Sequence, residues 1–427
     1  MTTKLYQKDV YLKEWDASIV SVTVAGDCLY HIVLDQSAFF PKGGGQSCDL
    51  GTIAGMQVTD VREHDGQIIH TLSLASDAGT DPADSAVPSE GDTVHCAIDW
   101  DRRFDNMQRH CGEHILSGVF YARCGGVNRG FHMGTDYMTI DISLEEDPAD
   151  ADAVRPEQID MALALDCERR ANEVIWSDAP VSVFLFDERD EIKDMPLRKA
   201  LAFDEDISIV CVGSPENASD CVACCGTHPS TAGQVGLIKI YKVENYKGMF
   251  RIYFDAGSRA LRDYERKHEI LTSIANSYSS SIDDLTDALR AQSDKLSATK
   301  DELHHVKKAL LRRETAVLDE LLSVSDSSGS TSHPVLIHRL EDLSLDDAFE
   351  LAKDHMGRIH CLLLLYAVKQ TSFILVSSGD PHCGDLVREY ASFYKGKGGG
   401  SDSSARAIFT SEEDAMLFAD LISKHFK

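Results

Sequence analysis

Two short stretches hold the residue types that metal chemistry requires, His110-Cys111-Gly112-Glu113-His114 and Cys224-Cys225-Gly226-Thr227-His228, more than a hundred residues apart. In each, two side chains able to ligate a metal stand four positions apart. On a helix that spacing puts His110 and His114 on one face, roughly 5–6 Å apart, so both can reach a single ion. Cys224 and His228, on a tight glycine-containing turn, can supply the other half. Imidazole and thiolate ligands suit zinc, whereas magnesium and calcium take oxygen. A second candidate is Phe40-Pro41-Lys42-Gly43-Gly44-Gly45-Gln46. Its glycines let backbone approach a ligand or another strand, and Gln46 offers a donor and an acceptor at the end of the loop. It lacks the Gly-Lys-Ser/Thr ending of a nucleotide P-loop. A third candidate, Lys397-Gly398-Gly399-Gly400-Ser401, reads as a glycine loop that with Lys395 could meet a phosphate, or as a long turn.

The rest of the chain has to position these residues. At 427 residues it is too long for one ordinary core. The N-terminus has no apolar run behind its lysines, and no later stretch approaches the roughly 18 apolar residues of a membrane span. A soluble, cytoplasmic protein is expected. Twelve cysteines scattered through so long a chain argue for reduced thiols and a metal site over a disulfide framework. A net charge of −28 speaks against a general nucleic-acid binder. The segment 239–313 departs from that balance, with 15 Lys+Arg against 11 Asp+Glu, a local +4; an RNA partner would lean on it, although a solvated helix surface reads the same way.

Residues 1–95 read as strands: Ser18–Val24 and Leu29–Leu34, Met56–Val61 paired with Ile68–Leu72 across Asp65-Gly66, and Thr93–Ile98. They predict a small β-barrel or sandwich. Residues 96–258 mix helices and strands in an α+β pattern. Its central helix opens near Asp99–Asp101 and runs to about Arg123, with both histidines beside an apolar stripe. Asp77–Asp92 and Glu145–Asp152 read as loops. From 259 to 322 apolar residues recur at threes and fours, a coiled-coil or helical-hairpin register that Ser277–Ser281 could break. Ser323–Ser332 is a serine-rich linker, and 334–427 reads as an α/β domain.

Taken together the motifs resemble the long form of the free-standing alanyl-tRNA editing proteins, the AlaX family, and the editing and C-terminal regions of alanyl-tRNA synthetase. Phe40–Gln46 matches the glycine-rich barrel motif, His110-x-x-x-His114 and Cys224-x-x-x-His228 match the two zinc motifs, and Gly130-Phe131-His132-Met133-Gly134 resembles a further segment. Lys397–Ser401 is similar to the glycine loop of the C-terminal domain shared with DHH-type phosphoesterases. Cys225 departs from the usual glycine, and Cys221 creates an extra Cys-x-x-Cys; Cys224 alone has the family spacing to His228. The resemblance implies zinc-dependent hydrolysis of serine, and of glycine, from tRNA(Ala). It implies Gln46 and Thr227 as contacts to the amino acid; Glu113, between the histidines, reads either as a general base or as a residue that faces solvent or pairs behind a ligand, and Lys397, Gly398, Gly399 and Gly400 read as RNA contacts or as part of a long turn. The C-terminal region and the helical segment would then bind tRNA or form a homodimer. If all four ligands hold zinc, the site is closed, and zinc either orients the tRNA terminus or expands its coordination. Two readings compete: a His-x-x-Glu-His metalloprotease, with Glu113 activating water, and a zinc-stabilised RNA-binding or dimerising module without catalysis.

Overall fold

The protein is described by a computed structural model covering residues 1–26, 28–73, 87–144, 156–192, 195–201, 204–326 and 334–426. Most of the loop Asp77–Asp92, the loop Glu145–Asp152 and most of the linker Ser323–Ser332 lie outside the described residues. The chain divides into two compact units, Met1–Ile274 and Ala275–Lys427.

The first unit opens with β1 (Thr3–Lys4), β2 (Glu14–Gly26), β3 (Leu29–Leu34), β4 (Gln36–Ser37), β5 (Gly51–Ile53), β6 (Met56–His64), β7 (Gln67–Ser73) and β8 (Thr93–Ile98). β1 lies parallel on β4, and the other six close a barrel in the order β2-β3-β7-β6-β5-β8. Between β6 and β7, Asp65 and Gly66 both take positive φ, 48° and 72°, the two-residue turn whose twist matches a hairpin. Ile68, His70 and Leu72 of β7 alternate into the barrel interior.

His70 is fully buried there. Its Nδ1 lies 3.0 Å from the Ile32 carbonyl and its Nε2 2.8 Å from the Ser37 hydroxyl, so Nδ1 carries the proton and the neutral ring is satisfied on both sides. Burial takes its pKa from 6.5 down to about 4. The unfolded chain therefore takes up a proton as pH falls below 6.5, while the folded chain does so only near 4. Stability should fall across that window at about 1.4 kcal/mol per pH unit, roughly 3 kcal/mol in all. Urea midpoints measured from pH 7 to pH 4.5 should show this fall, and His70→Gln should lose that part of the slope.

The first unit continues with α1 (Trp100–Cys124), β9 (Val127–Met133), β10 (Met138–Ser143), α2 (Met161–Trp176), β11 (Val181–Glu188), β12 (Glu205–Val212), β13 (Asp220–Ala223), β14 (Ile238–Tyr246), β15 (Met249–Ala256) and α3 (Gly257–Ser277). The strands form two antiparallel sheets, β14-β15-β10-β9 and β11-β12-β13. Leu116, Phe120, Ile140, Ile252 and Phe254 are fully buried in a core shared by α1, α2 and the four-stranded sheet. Cys211 and Cys221, opposite one another across β12 and β13, are joined as a disulfide. This one pair departs from the expectation of reduced thiols over a disulfide framework, because facing positions on paired strands bring the two sulfurs together.

The second unit comprises α4 (Leu285–Asp326), β16 (Val335–Leu340), α5 (Leu345–Lys353), β17 (Leu362–Ala367), β18 (Ser372–Val376), α6 (Cys383–Tyr390), β19 (Lys397–Gly400), β20 (Ser404–Ile408) and α7 (Glu412–His425). Its sheet runs β16-β17-β18-β20-β19, with only β16 and β17 parallel. Lys397–Gly400 is thus an edge strand and not a loop. A Cβ at Gly398 would stand 1.8 Å from the Arg406 carbonyl and one at Gly400 2.2 Å from that of Ser404, so two of the three glycines answer to the approach of β20. The helical register breaks at residues 278–284, where Ser279 takes φ 52° and Ser281 bonds Asp284. Among the described residues no helix is long and apolar enough to cross a membrane.

Candidate metal centre

α1 begins where the Asp99 side chain accepts from the Arg102 N–H at 3.1 Å and ends at Gly125 with φ 63°. Its first turns lock onto the barrel. Arg103 and Asp49 form an ion pair with both side chains fully buried; Asp49 also accepts from the Phe40 N–H at 2.6 Å, and Arg103 donates to the Ala38 carbonyl at 2.5 Å. Those contacts fix the strand exit that leads into the glycine loop. There Gly43 and Gln46 bond each other through their backbones, around Gly44 and Gly45 at φ 57° and 82°, a conformation that favours glycine. Gln46 is thereby delivered to His110, about two turns of α1 beyond Arg103.

The fold brings His110, His114, Cys224 and His228 together, with one ligand atom from each all within 4.8 Å of one another. Cys224 Sγ lies 3.4 Å from Nε2 of both His110 and His228. The turn after β13 approaches α1 so closely that a Cβ on Gly226 would sit 2.2 Å from the His110 ring. Cys221 is spent in the disulfide, which leaves Cys224 as the thiolate of the cluster.

The imidazoles are oriented from behind. Gln46 Oε1 accepts from the Thr227 backbone N–H at 3.0 Å, which fixes which end of the amide is oxygen. That same oxygen lies 2.9 Å from His110 Nδ1, so Nδ1 carries the proton and Nε2 turns a lone pair toward the sulfur. Gln46 Nε2 donates to Thr227 Oγ1 at 2.8 Å. His114 Nδ1 lies 2.9 Å from Asp220 Oδ2, and Asp220 Oδ1 accepts from Arg198 Nε at 2.5 Å. A carboxylate behind a ligating histidine fixes its tautomer and raises its basicity. Neither Asp220 nor Arg198 is signalled by any sequence pattern except that Asp220 precedes Cys224 by four residues.

The electrostatics favour positive charge where the donors converge. Burial opposes the Cys224 thiolate, yet the three imidazoles hold it well below the usual thiol range. Burial would also lower His114, but the Cys224 sulfur and the Asp220 carboxylate hold it well above the usual imidazole range. His228 is carried by burial down to about 4. His114 Nε2 and His228 Nδ1 are buried with no hydrogen-bond partner among the described residues. Three nitrogens and one sulfur, with one of those nitrogens, His114 Nε2, left without a hydrogen-bond partner among the described residues, fit a borderline-soft cation such as zinc.

Glu113 stands beside the cluster, not in it. Its Oε1 accepts from Ser117 Oγ at 2.6 Å and from Asn128 Nδ2 at 2.7 Å. Phe131 of β9 stacks on His110, centroids 5.5 Å apart and planes at 25°. Gln46 and Thr227 are both almost wholly buried. Lys397, Gly398, Gly399 and Gly400 belong to the second unit.

The family model described as "Threonyl and Alanyl tRNA synthetase second additional domain" matches residues 207–253, which run from β12 into β15 and include Cys224 and His228. Over 421 residues the chain is 30% identical to alanyl-tRNA editing protein AlaX-L of Pyrococcus horikoshii, covering 95% of this chain and 94% of that protein. It is 31% identical to AlaX-M of Methanosarcina mazei over 263 residues, 60% of this chain and 96% of the relative. The alanine–tRNA ligase of Pyrobaculum aerophilum is 26% identical over 431 residues, 98% of this chain but 44% of the ligase.

Proposed function

The chain belongs to the alanyl-tRNA editing proteins and is an aminoacyl-tRNA hydrolase, and from that premise we propose that it releases serine, and secondarily glycine, from mischarged tRNA(Ala) with zinc held by His110, His114, Cys224 and His228. The observation that carries this reading is Gln46, whose one amide ties a metal ligand, His110, to Thr227. A zinc ion held by all four would place positive charge beside the ester carbonyl, and would polarise that carbonyl or a water directly only by expanding its coordination.

The protein's own groups set what is bound. Both lone pairs of Gln46 Oε1 are taken, by His110 and by the Thr227 N–H, so its oxygen has no capacity left for a substrate. Thr227 Oγ1 accepts from Gln46, which frees its own O–H to donate to a seryl hydroxyl. An alanyl side chain leaves that donor unpaired, a cost of about 1–3 kcal/mol. Glycine also leaves that donor unpaired, which makes it the weaker of the two substrates. Glu113, with Oε1 held by Ser117 and Asn128, is the group we assign as the base. We assign RNA contacts in the second unit to Lys397, Gly398, Gly399 and Gly400. We also assign homodimerisation to the exposed seven-residue repeat of α4, Leu289, Leu296 and Leu303. The setting is the cytoplasm, where charged tRNA is found.

Deacylation of Ser-tRNA(Ala), Gly-tRNA(Ala) and Ala-tRNA(Ala), with and without a chelator, tests the reading. Rapid loss of serine with alanine spared, abolished by the chelator, is expected; release of none of the three overturns it. Thr227→Val keeps the shape and removes the hydroxyl. It should lower kcat/KM for the seryl ester about tenfold while changing the glycyl ester less than about threefold, and equal losses on both would remove Thr227 from serine recognition.

A further inference from the structure

The sheet β14-β15-β10-β9 has two unlike faces. One carries Ile240, Ile252, Phe254, Ile140 and Ile142, buried against α1 and α2. The other faces away from that core, and its residues follow from the register. One row across the strands reads Lys242, Tyr253, Thr139, His132, and the next reads Glu244, Arg251, Asp141, Gly130. Tyr137, at the start of β10, is 43% exposed and meets Tyr253 edge to face at 5.2 Å. Tyr246 sits at the tip of the β14–β15 hairpin.

Cations lie over these rings. Lys242 Nζ is 5.6 Å from the centre of Tyr253, Lys247 Nζ is 5.1 Å from that of Tyr246, and Arg251 Cζ is 3.5 Å from it. Arg251 is held flat by paired bonds to Asp141 at 2.7 and 2.8 Å. All three cations, Lys242, Lys247 and Arg251, lie in the stretch 239–313, which carries a local surplus of +4 in a chain of net charge −28. Partly exposed rings interleaved with cations on an open four-stranded sheet are what single-stranded RNA uses: bases stack on the rings, and phosphates meet the cations.

The placement relative to the metal centre selects the occupant. β9 is an edge strand of this sheet. Its side chains alternate, with His132 on the open face and Phe131 on the other side, stacked on the ligand His110. A strand of RNA laid across the sheet from β14 to β9 covers about 14 Å, three inter-strand spacings, and ends at the wall of the metal centre. We propose that this face is the platform for the unpaired 3′ end of the aminoacyl-tRNA, with Tyr137, Tyr253 and Tyr246 stacking bases and Lys242, Lys247 and Arg251 meeting phosphates. The proposal rests on the editing function and names the surface through which its substrate is presented.

The test uses the full metal-bound chain and two uncharged RNA minihelices, an acceptor stem with its unpaired 3′ nucleotides and the same stem without them. Fluorescence anisotropy gives Kd over a salt series. The wild-type protein should bind the complete minihelix at least tenfold more tightly than the truncated one. Tyr137→Ala/Tyr253→Ala should abolish that difference, binding both RNAs as the wild type binds the truncated form. Lys242→Glu/Lys247→Glu, confined to exposed lysines, should lower the slope of log Kd against log salt by about 1.4, near 0.7 for each phosphate no longer neutralised. Both variants should retain one metal per chain. Unchanged discrimination between the two RNAs in both variants overturns the platform while leaving editing intact. A wild-type protein that binds neither minihelix and releases no serine from Ser-tRNA(Ala) overturns the editing reading itself.

Discussion

Replacing His110 with alanine should remove the metal and the hydrolysis together. His110 places Nε2 3.4 Å from the Cys224 sulfur, and its ring stands within 5.2 Å of His114 and 4.6 Å of His228, centroid to centroid, so it is central to the four-donor cluster. Without it three donors remain. Gln46 Oε1 keeps the Thr227 N–H, so the turn bearing Cys224 and His228 is still tied to the barrel, and alanine favours the helix it would enter. Loss of metal should therefore occur in a folded protein. Changes behind a ligand alone cost about 10–100-fold in affinity, and removing a ligand should exceed that. Metal content by mass spectrometry should drop well below one per chain, and deacylation of Ser-tRNA(Ala) should fall more than about a hundredfold, with partial recovery at high added zinc. Deacylation at the wild-type rate by a metal-free His110→Ala protein would take the ion out of the mechanism.

That experiment rests on a ligand set legible in the sequence, because the i,i+4 histidines and the Cys-x-x-x-His turn are local patterns. Local signals also give the Asp65-Gly66 hairpin, the start of α1 at Asp99 and the helix break near Ser279. What the sequence conceals is whatever depends on partners far along the chain. Asp220 meets His114 across 106 residues, and Gln46 meets Thr227 across 181. No periodicity announces either pair. β13 has only four residues and β9 contains a glycine, so neither carries a strand signal, yet β13 delivers Asp220 and the ligand turn while β9 delivers Phe131 and Asn128. Lys397–Gly400 reads as a loop because glycine is a poor strand former, and pairing with β20 overrides that preference. The doubt between Cys221 and Cys224 resolves only when Cys221 is seen facing Cys211 across two strands.

Asp220 is where the concealed part of the site should have its largest effect. Its carboxylate is fully buried between His114 Nδ1 and the Arg198 guanidinium, itself almost wholly buried. Burial disfavours the ionised form, but the Arg198 charge and the His114 hydrogen bond hold its pKa below the usual carboxylate value. An asparagine has one acceptor oxygen where two donors need one each. If that oxygen stays with Arg198, the amide N–H faces His114 Nδ1, and the histidine moves its proton to Nε2, the atom that should face the metal. Asp220→Asn should therefore weaken metal binding about 10–100-fold with little loss of fold. Asp220→Ala adds a second penalty, since it leaves Arg198 charged, buried and unpaired, which costs about 3–5 kcal/mol. Removing both charges in Asp220→Ala/Arg198→Met should restore most of that stability, measured by urea unfolding of chelated protein, because a buried pair replaced by apolar groups is often neutral. It should not restore metal affinity, because nothing then fixes the His114 tautomer. A double variant that competes for zinc as well as the wild type would show that the carboxylate only balances Arg198, whereas recovery of stability without affinity separates the orientation of the ligand from the burial of the charge.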